Sequence, residues 1–175
     1  MTGAGKKVDL ELVASAPRAE KRPKRTTAEA ADRITPLRDR APAGAVFVDL
    51  EVPFHDVDPL LVAWHGHYFK YLEIARTELQ RAHRLDVPDL RALGIAWFVV
   101  DTRTRHVAPL RYGEKFRVYA WFFEDDPRIG IAYEIRTLEG NRRVARGRTV
   151  LVSTTKDGEM YFETPKEIRD RIRTR

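Results

Sequence analysis

The sequence predicts an α+β domain in which a curved antiparallel sheet of about five strands wraps one long central helix. Three observations carry this expectation. A β-rich stretch, "AVFVDLEVPF" (Ala45 to Phe54), comes first, and "HGHYFKYLEIARTELQRAHR" (His65 to Arg84), with apolar residues at helical spacing, follows. From Ala96 to Thr154 strand-like runs then alternate with short turns. A lone helix of about five turns beside such strands can bury its apolar face only if the sheet curls around it. The 175 residues suffice for one well-cored domain and are short for two.

Each element has its own signal. Pro53 marks the end or edge of the first strand, because proline cannot donate to a ladder. In the long helix Tyr68, Tyr71, Leu72, Ala75, Leu79 and Ala82 share one face, and Lys70, Glu73, Arg76 and Arg81 avoid it. "DVPDLRALG" (Asp86 to Gly94) opens on a capping Asp, carries Pro88 in its first turn and closes on glycine, which predicts a second, short helix. Strands are expected over Ala96–Ala108, Lys115–Glu124, Ile129–Leu138 and Arg142–Thr154. The turns "DDPR" and "EGN" separate the last three, and Pro165–Arg173 reads as a terminal helix. The four late strands read as an antiparallel meander, each beside the next. Trp64, Trp97 and Trp121 are expected in the core or an interface.

Charge divides the chain at about residue 44. Residues 1–44 carry ten Lys/Arg against six Asp/Glu, and the remainder 22 against 20. The first part lacks aromatics and cannot bury enough apolar surface to offset its ordering entropy, so 1–44 reads as a basic, disordered extension and 45–175 as the domain. Within the extension Thr27–Ile34 could form a marginal helix. "KRPKR" (Lys21 to Arg25), without interleaved aromatics, supplies nonspecific charge rather than a specific nucleic-acid site. Zero cysteines exclude disulfides, thiolate metal sites and cysteine nucleophiles. No apolar run approaches the ~18 residues of a membrane span and the N-terminus has no signal-peptide core, so a soluble, cytoplasmic protein is expected.

The densest chemistry lies in "DVDPLLVAWHGHY", Asp56 to Tyr68. Between a strand and a helix, Asp56 and Asp58 in extended chain would point to one side, with Val57 opposite. His65 and Gly66 fall at the helix start, where free N–H groups and the positive dipole end favour an oxyanion. A carboxylate, a histidine and free N–H donors together suit acyl-bond hydrolysis. A metal held by Asp56, Asp58, His65 and His67 is disfavoured, because helical side chains two apart diverge. Asp58 before Pro59 could also simply start a turn, Asp56 could hold that turn through backbone hydrogen bonds, and His65 could cap the helix.

Phe54 to Leu79, "FHDVDPLLVAWHGHYFKYLEIARTEL", resembles the active-site segment of hotdog-fold acyl-CoA thioesterases, the 4-hydroxybenzoyl-CoA and Tol–Pal-associated group. Asp56, Asp58, Trp64, His65, Tyr68, Glu73, Ala75 and Arg76 occupy the family's pattern without a gap. The resemblance implies a hotdog fold and hydrolysis of an acyl-CoA or acyl-carrier-protein thioester. It implies Asp58 as nucleophile or general base, His65 as catalytic assistant, and His65, Gly66 and Tyr68 as oxyanion and substrate-positioning residues, with Asp56 in support. It implies no cofactor and no metal, and a homodimer or homotetramer with active sites between subunits. A non-catalytic acyl-binding module and a hotdog dehydratase are the competing readings. Arg103, Arg105, Arg142 and Arg143 are candidate phosphate or carrier contacts. Where many members place a glycine after the acid–proline pair, this chain has Leu61, which predicts a differently built turn or a narrower, more apolar acyl pocket.

Overall fold

The computed structural model describes residues 40–174. The "KRPKR" run and the short helix expected at Thr27–Ile34 lie outside them. Strand β1 spans Val46–Glu51, helix α1 His67–Ala82, helix α2 Val87–Ala92 and strand β2 Ile95–His106. Strands β3 (Lys115–Glu124), β4 (Ile129–Thr137) and β5 (Arg143–Thr155) follow, and helix α3 (Lys166–Arg173) closes the chain. All five strands form one antiparallel sheet, the α+β hotdog arrangement expected. No helix among the described residues is long and apolar enough to cross a membrane.

The strand order is β1-β3-β4-β5-β2, which corrects the simple meander. β3, β4 and β5 are sequential neighbours, but β2 pairs with β5 across the sheet, Ile95 opposite Thr155 through His106 opposite Ala145. The physical reason is the β2–β3 connection, residues 107–114, which is too long for a tight hairpin and free to cross. β2 is therefore an edge strand, and so is β1.

α1 buries Tyr68, Tyr71, Leu72, Ala75 and Leu79 against the sheet. These five belong to the predicted apolar face, whereas Ala82, in the last turn, is exposed. The helix stops without a glycine. Arg84 takes φ 56° and the Leu85 N–H returns to the Gln80 carbonyl at 2.8 Å, a Schellman-type closure with Leu85 fully buried. Gly147 on β5 lets α1 approach, since a Cβ there would lie 2.7 Å from Leu72 Cδ1. α2 starts as its sequence predicts, with Asp86 as cap and the Asp89 carboxylate accepting the Asp86 N–H at 3.1 Å.

Candidate active site

Pro53, in extended backbone, leads into a single 3-10 turn at Phe54–Asp56. That turn corrects the expectation that Asp56 and Asp58 share one side of an extended chain, for it drives Asp56 into the interior, where it is 0% exposed. The chain then folds back on itself. Val57 bridges Ala63, the Asp58 N–H donates to the Val62 carbonyl at 2.9 Å, and the Leu61 N–H to the Asp58 carbonyl at 2.9 Å. Pro59, Leu60 and Leu61 form the three-residue loop, whose third position requires a left-handed residue, and Leu61 supplies it at φ 57°. The turn is thus built as a glycine would build it, and the expectation of a different construction is not met.

Leucine is held there at a cost of roughly 1–2 kcal/mol, while glycine would gain unfolded-state entropy of about 0.4–1 kcal/mol. Leu61→Gly is therefore expected to raise unfolding stability by about 0.5 kcal/mol. A urea titration that shows a loss instead would mean that Leu61, 57% exposed here, is packed in solution.

The two acids have exchanged the jobs a turn would offer them. Asp58 Oδ1 accepts the Leu60 N–H at 2.8 Å, and Oδ2 has no protein donor among the described residues. Asp56 does not hold the turn with its carboxylate, which corrects that reading. Oδ2 accepts the Tyr71 hydroxyl at 2.8 Å, and Oδ1 pairs with the Lys70 ammonium. His55 Nε2 and His67 Nδ1 stand 3.5 and 3.8 Å from the same Oδ1. Burial works to raise the Asp56 pKa, but the Lys70 and Tyr71 hydrogen bonds and the Lys70 charge outweigh it, leaving the carboxyl below its ordinary range. With an ammonium seated on Oδ1, that oxygen is not open to a metal cation.

The helix begins at His67, two residues later than the sequence predicts, with Gly66 as its cap residue and no side-chain cap. The Trp64 indole lies over Gly66, where any Cβ would overlap the ring. Trp64 also packs on His65 and His67, ring centroids 4.7 and 5.4 Å away. The His67 N–H donates to the Trp64 carbonyl at 2.9 Å, whereas the His65 and Gly66 N–H groups have no protein acceptor among the described residues. Tyr68 is buried, and its hydroxyl accepts the Leu110 N–H at 3.2 Å. The residue 107–114 connection is pinned to the hairpin by further bonds from the Ala63 N–H to the Leu110 carbonyl, 2.8 Å, and from the Tyr112 N–H to the Leu61 carbonyl, 3.2 Å.

His106 is the site neighbour that sequence reasoning missed. Its ring meets Tyr68 edge-on at 4.4 Å. Burial lowers its pKa first, and the charge of His65 lowers it further, so the two imidazoles are electrostatic neighbours. The strand's alternation could have flagged it, but a register shift between Val99 and Asp101 changes which side chains face inward. The arginine candidates are mostly engaged elsewhere. Arg142 binds the Pro109 carbonyl and Glu114, Arg143 binds Glu134, and Arg103 pairs with Asp101. Trp97 donates its Nε1–H to Ser153 Oγ at 3.0 Å.

The sequence matches the family model described as the thioesterase-like superfamily over residues 52–172. The chain belongs to that family. YneP of Bacillus subtilis (strain 168), provisionally named an acyl-CoA thioesterase, is 29% identical over 73 residues, 42% of this chain and 53% of YneP. The chain thus aligns with about half the length of that curated relative. Slr0204 of Synechocystis, a 1,4-dihydroxy-2-naphthoyl-CoA thioesterase, superposes with a TM-score of 0.65 at 19% identity, over 74% of this chain and 96% of its own. SAV2348 of Staphylococcus aureus, determined in complex with CoA, gives 0.67 at 13% identity over 73% and 81%. At these identities the likeness establishes the fold.

Proposed function

We propose that the protein hydrolyses the thioester bond of an acyl-CoA, with Asp58 as nucleophile or general base. The observation that carries this reading is the hairpin 57–63, which secures one Asp58 oxygen and leaves the other without a protein donor, just ahead of unengaged N–H groups at a helix start. Family membership and the two thioesterase names among the similar proteins support it. As nucleophile, Oδ2 attacks the thioester carbon, the thiolate departs and takes up a proton, and water hydrolyses the resulting anhydride to free acid. As base, Oδ2 takes a proton from the water that attacks. In either route the carbonyl oxygen gains negative charge, and the His65 and Gly66 N–H groups at the α1 dipole end are placed to stabilise it. His65 assists, Tyr68 positions the helix start through Leu110, and Asp56 supports the site from below. An acyl-carrier-protein thioester offers the same bond. Release of free thiol from acyl-CoA and acyl-carrier substrates tests the reading, for a dehydratase or a binding module releases none.

The protein acts in the cytoplasm as a homodimer or homotetramer on this reading. Edge strand β2 exposes Phe98, Val99 and Val100 in succession, and an uncovered apolar edge invites pairing with a second copy. Val100→Lys is expected to shift the assembly toward the 20.2 kDa chain in light scattering. An unchanged mass would move the interface away from this edge.

A further inference from the structure

A register of side chains runs along one side of α1. Tyr68, Leu72, Arg76 and Gln80 follow at four-residue spacing, each about 6 Å further along the helix. The inward positions of β2 and β5 beneath them advance about 6.6 Å per two residues, so the two repeats stay in step. Tyr68 meets His106, and Leu72 meets Gly147, which is paired with Thr104. Arg76 and Gln80 then meet Trp97, Val99 and Leu151 around a cavity of 260 Å³. A larger cavity of 410 Å³ lies at the far end of α1, lined by Leu79, His83 and Trp121 among others and by neither Asp56 nor Asp58.

Arg76 breaks the apolar pattern of this register. Its side chain is only 16% exposed. Nη2 is bonded to Glu73, while Nε and Nη1 are buried with no protein acceptor among the described residues. The Tyr133 hydroxyl, on β4, is buried, with the Thr149 side chain as its polar neighbour. Burial pushes its pKa up to about 12, and it senses the charges of Arg76 and Glu73. Donors left unmet in an interior are costly, so a ligand that meets them is bound selectively.

We propose that the cavity beside Arg76 is an acyl-recognition subsite that selects acyl groups bearing an acceptor oxygen (hydroxyl, keto or carboxylate), bound by Arg76 Nε and Nη1. The inference rests on the thioesterase reading and adds the class of acyl group. Arg76 lies ten residues after Gly66, about 15 Å along the helix. Long helical side chains lean back toward the N-terminus, so the acceptor oxygen sits roughly two turns, about 11 Å, from the polarised carbonyl. An oxygenated fused-ring aryl group or a dicarboxylic monothioester fills that distance, whereas a plain alkyl chain leaves the guanidinium donors unmet.

Two matched pairs test this on the full chain: a hydroxynaphthoyl-CoA against its methyl counterpart, and suberyl-CoA against nonanoyl-CoA. In at least one pair kcat/KM is expected to favour the oxygenated member by about tenfold or more, and Arg76→Met is expected to bring that ratio close to one. Preference for the apolar member in both pairs overturns the subsite, and so does a ratio that Arg76→Met leaves unchanged. If wild type shows no preference and Arg76→Met only dissociates the oligomer, the donors serve an interface and the proposal falls. Should no thioester release thiol, hydrolysis itself fails, and calorimetry of the four thioesters with Asp58→Asn protein decides the subsite alone. Tighter binding of the oxygenated members then sustains it, and equal binding removes it.

Discussion

Asp58→Asn protein is expected to keep its fold and to lose about three to four orders of magnitude in thioester hydrolysis. The substitution separates two functions of one side chain. The bond that builds the turn runs from the Leu60 N–H to Asp58 Oδ1, 2.8 Å, and an asparagine carbonyl oxygen accepts it equally well. The loop therefore closes, Leu61 stays at φ 57°, and the Val57–Ala63 bridge persists. What disappears is the second oxygen, replaced by an amide nitrogen that neither attacks a carbonyl nor takes a proton from water. Residual turnover comes from the N–H groups at His65 and Gly66 and from substrate binding. Stopped thiol release with an unchanged melting transition is the expected pair of results. Full activity in this variant would remove Asp58 from the chemistry and return it to its plain role as a turn former.

Local pattern revealed the elements, and long-range pairing revealed their use. β3 falls at Lys115–Glu124 as its sequence predicts, and α1 buries five of the six residues assigned to its apolar face. Period and turn chemistry act within a few residues, so one sequence carries them. The partner of β2 is set by sheet contacts between residues 39 to 60 apart in the chain, from His106 opposite Ala145 to Ile95 opposite Thr155, and no local signal encodes them. The same holds inside the site. The Asp-x-Asp spacing places two acids close together, but which of them is buried depends on a 3-10 turn of three residues and on Lys70 and Tyr71 arriving from α1. The helical pattern puts Lys70 on the polar face, which is where its stem begins. Its ammonium reaches back to the buried Asp56 carboxylate. The place of His106 beside Tyr68 and the burial of Arg76 depend on how the helix and sheet repeats lie against each other.

That Asp56–Lys70 pair yields the second large effect, on stability rather than turnover. Lys70→Met is expected to destabilise the domain by about 2–4 kcal/mol near neutral pH, because it strands a carboxylate that is 0% exposed with the Tyr71 hydroxyl as its remaining close donor. The figure sits below that of a wholly interior pair, since the Lys70 side chain is itself 43% exposed and its loss is partly screened. The pH dependence should change sign at the same time. In the wild type the Asp56 pKa is lowered, so its contribution is present above the unfolded value of about 3.9 and fades as pH falls through the folded value. Without Lys70 the burial that already opposes ionisation dominates and raises the folded pKa above the unfolded one. The folded state then binds the extra proton, and the variant loses stability as pH rises from about 4 toward that raised value. Urea unfolding of both proteins across pH 3–7 reads the difference directly. Parallel profiles would mean that His55 and His67, at 3.5 and 3.8 Å from Asp56 Oδ1, replace the missing ammonium.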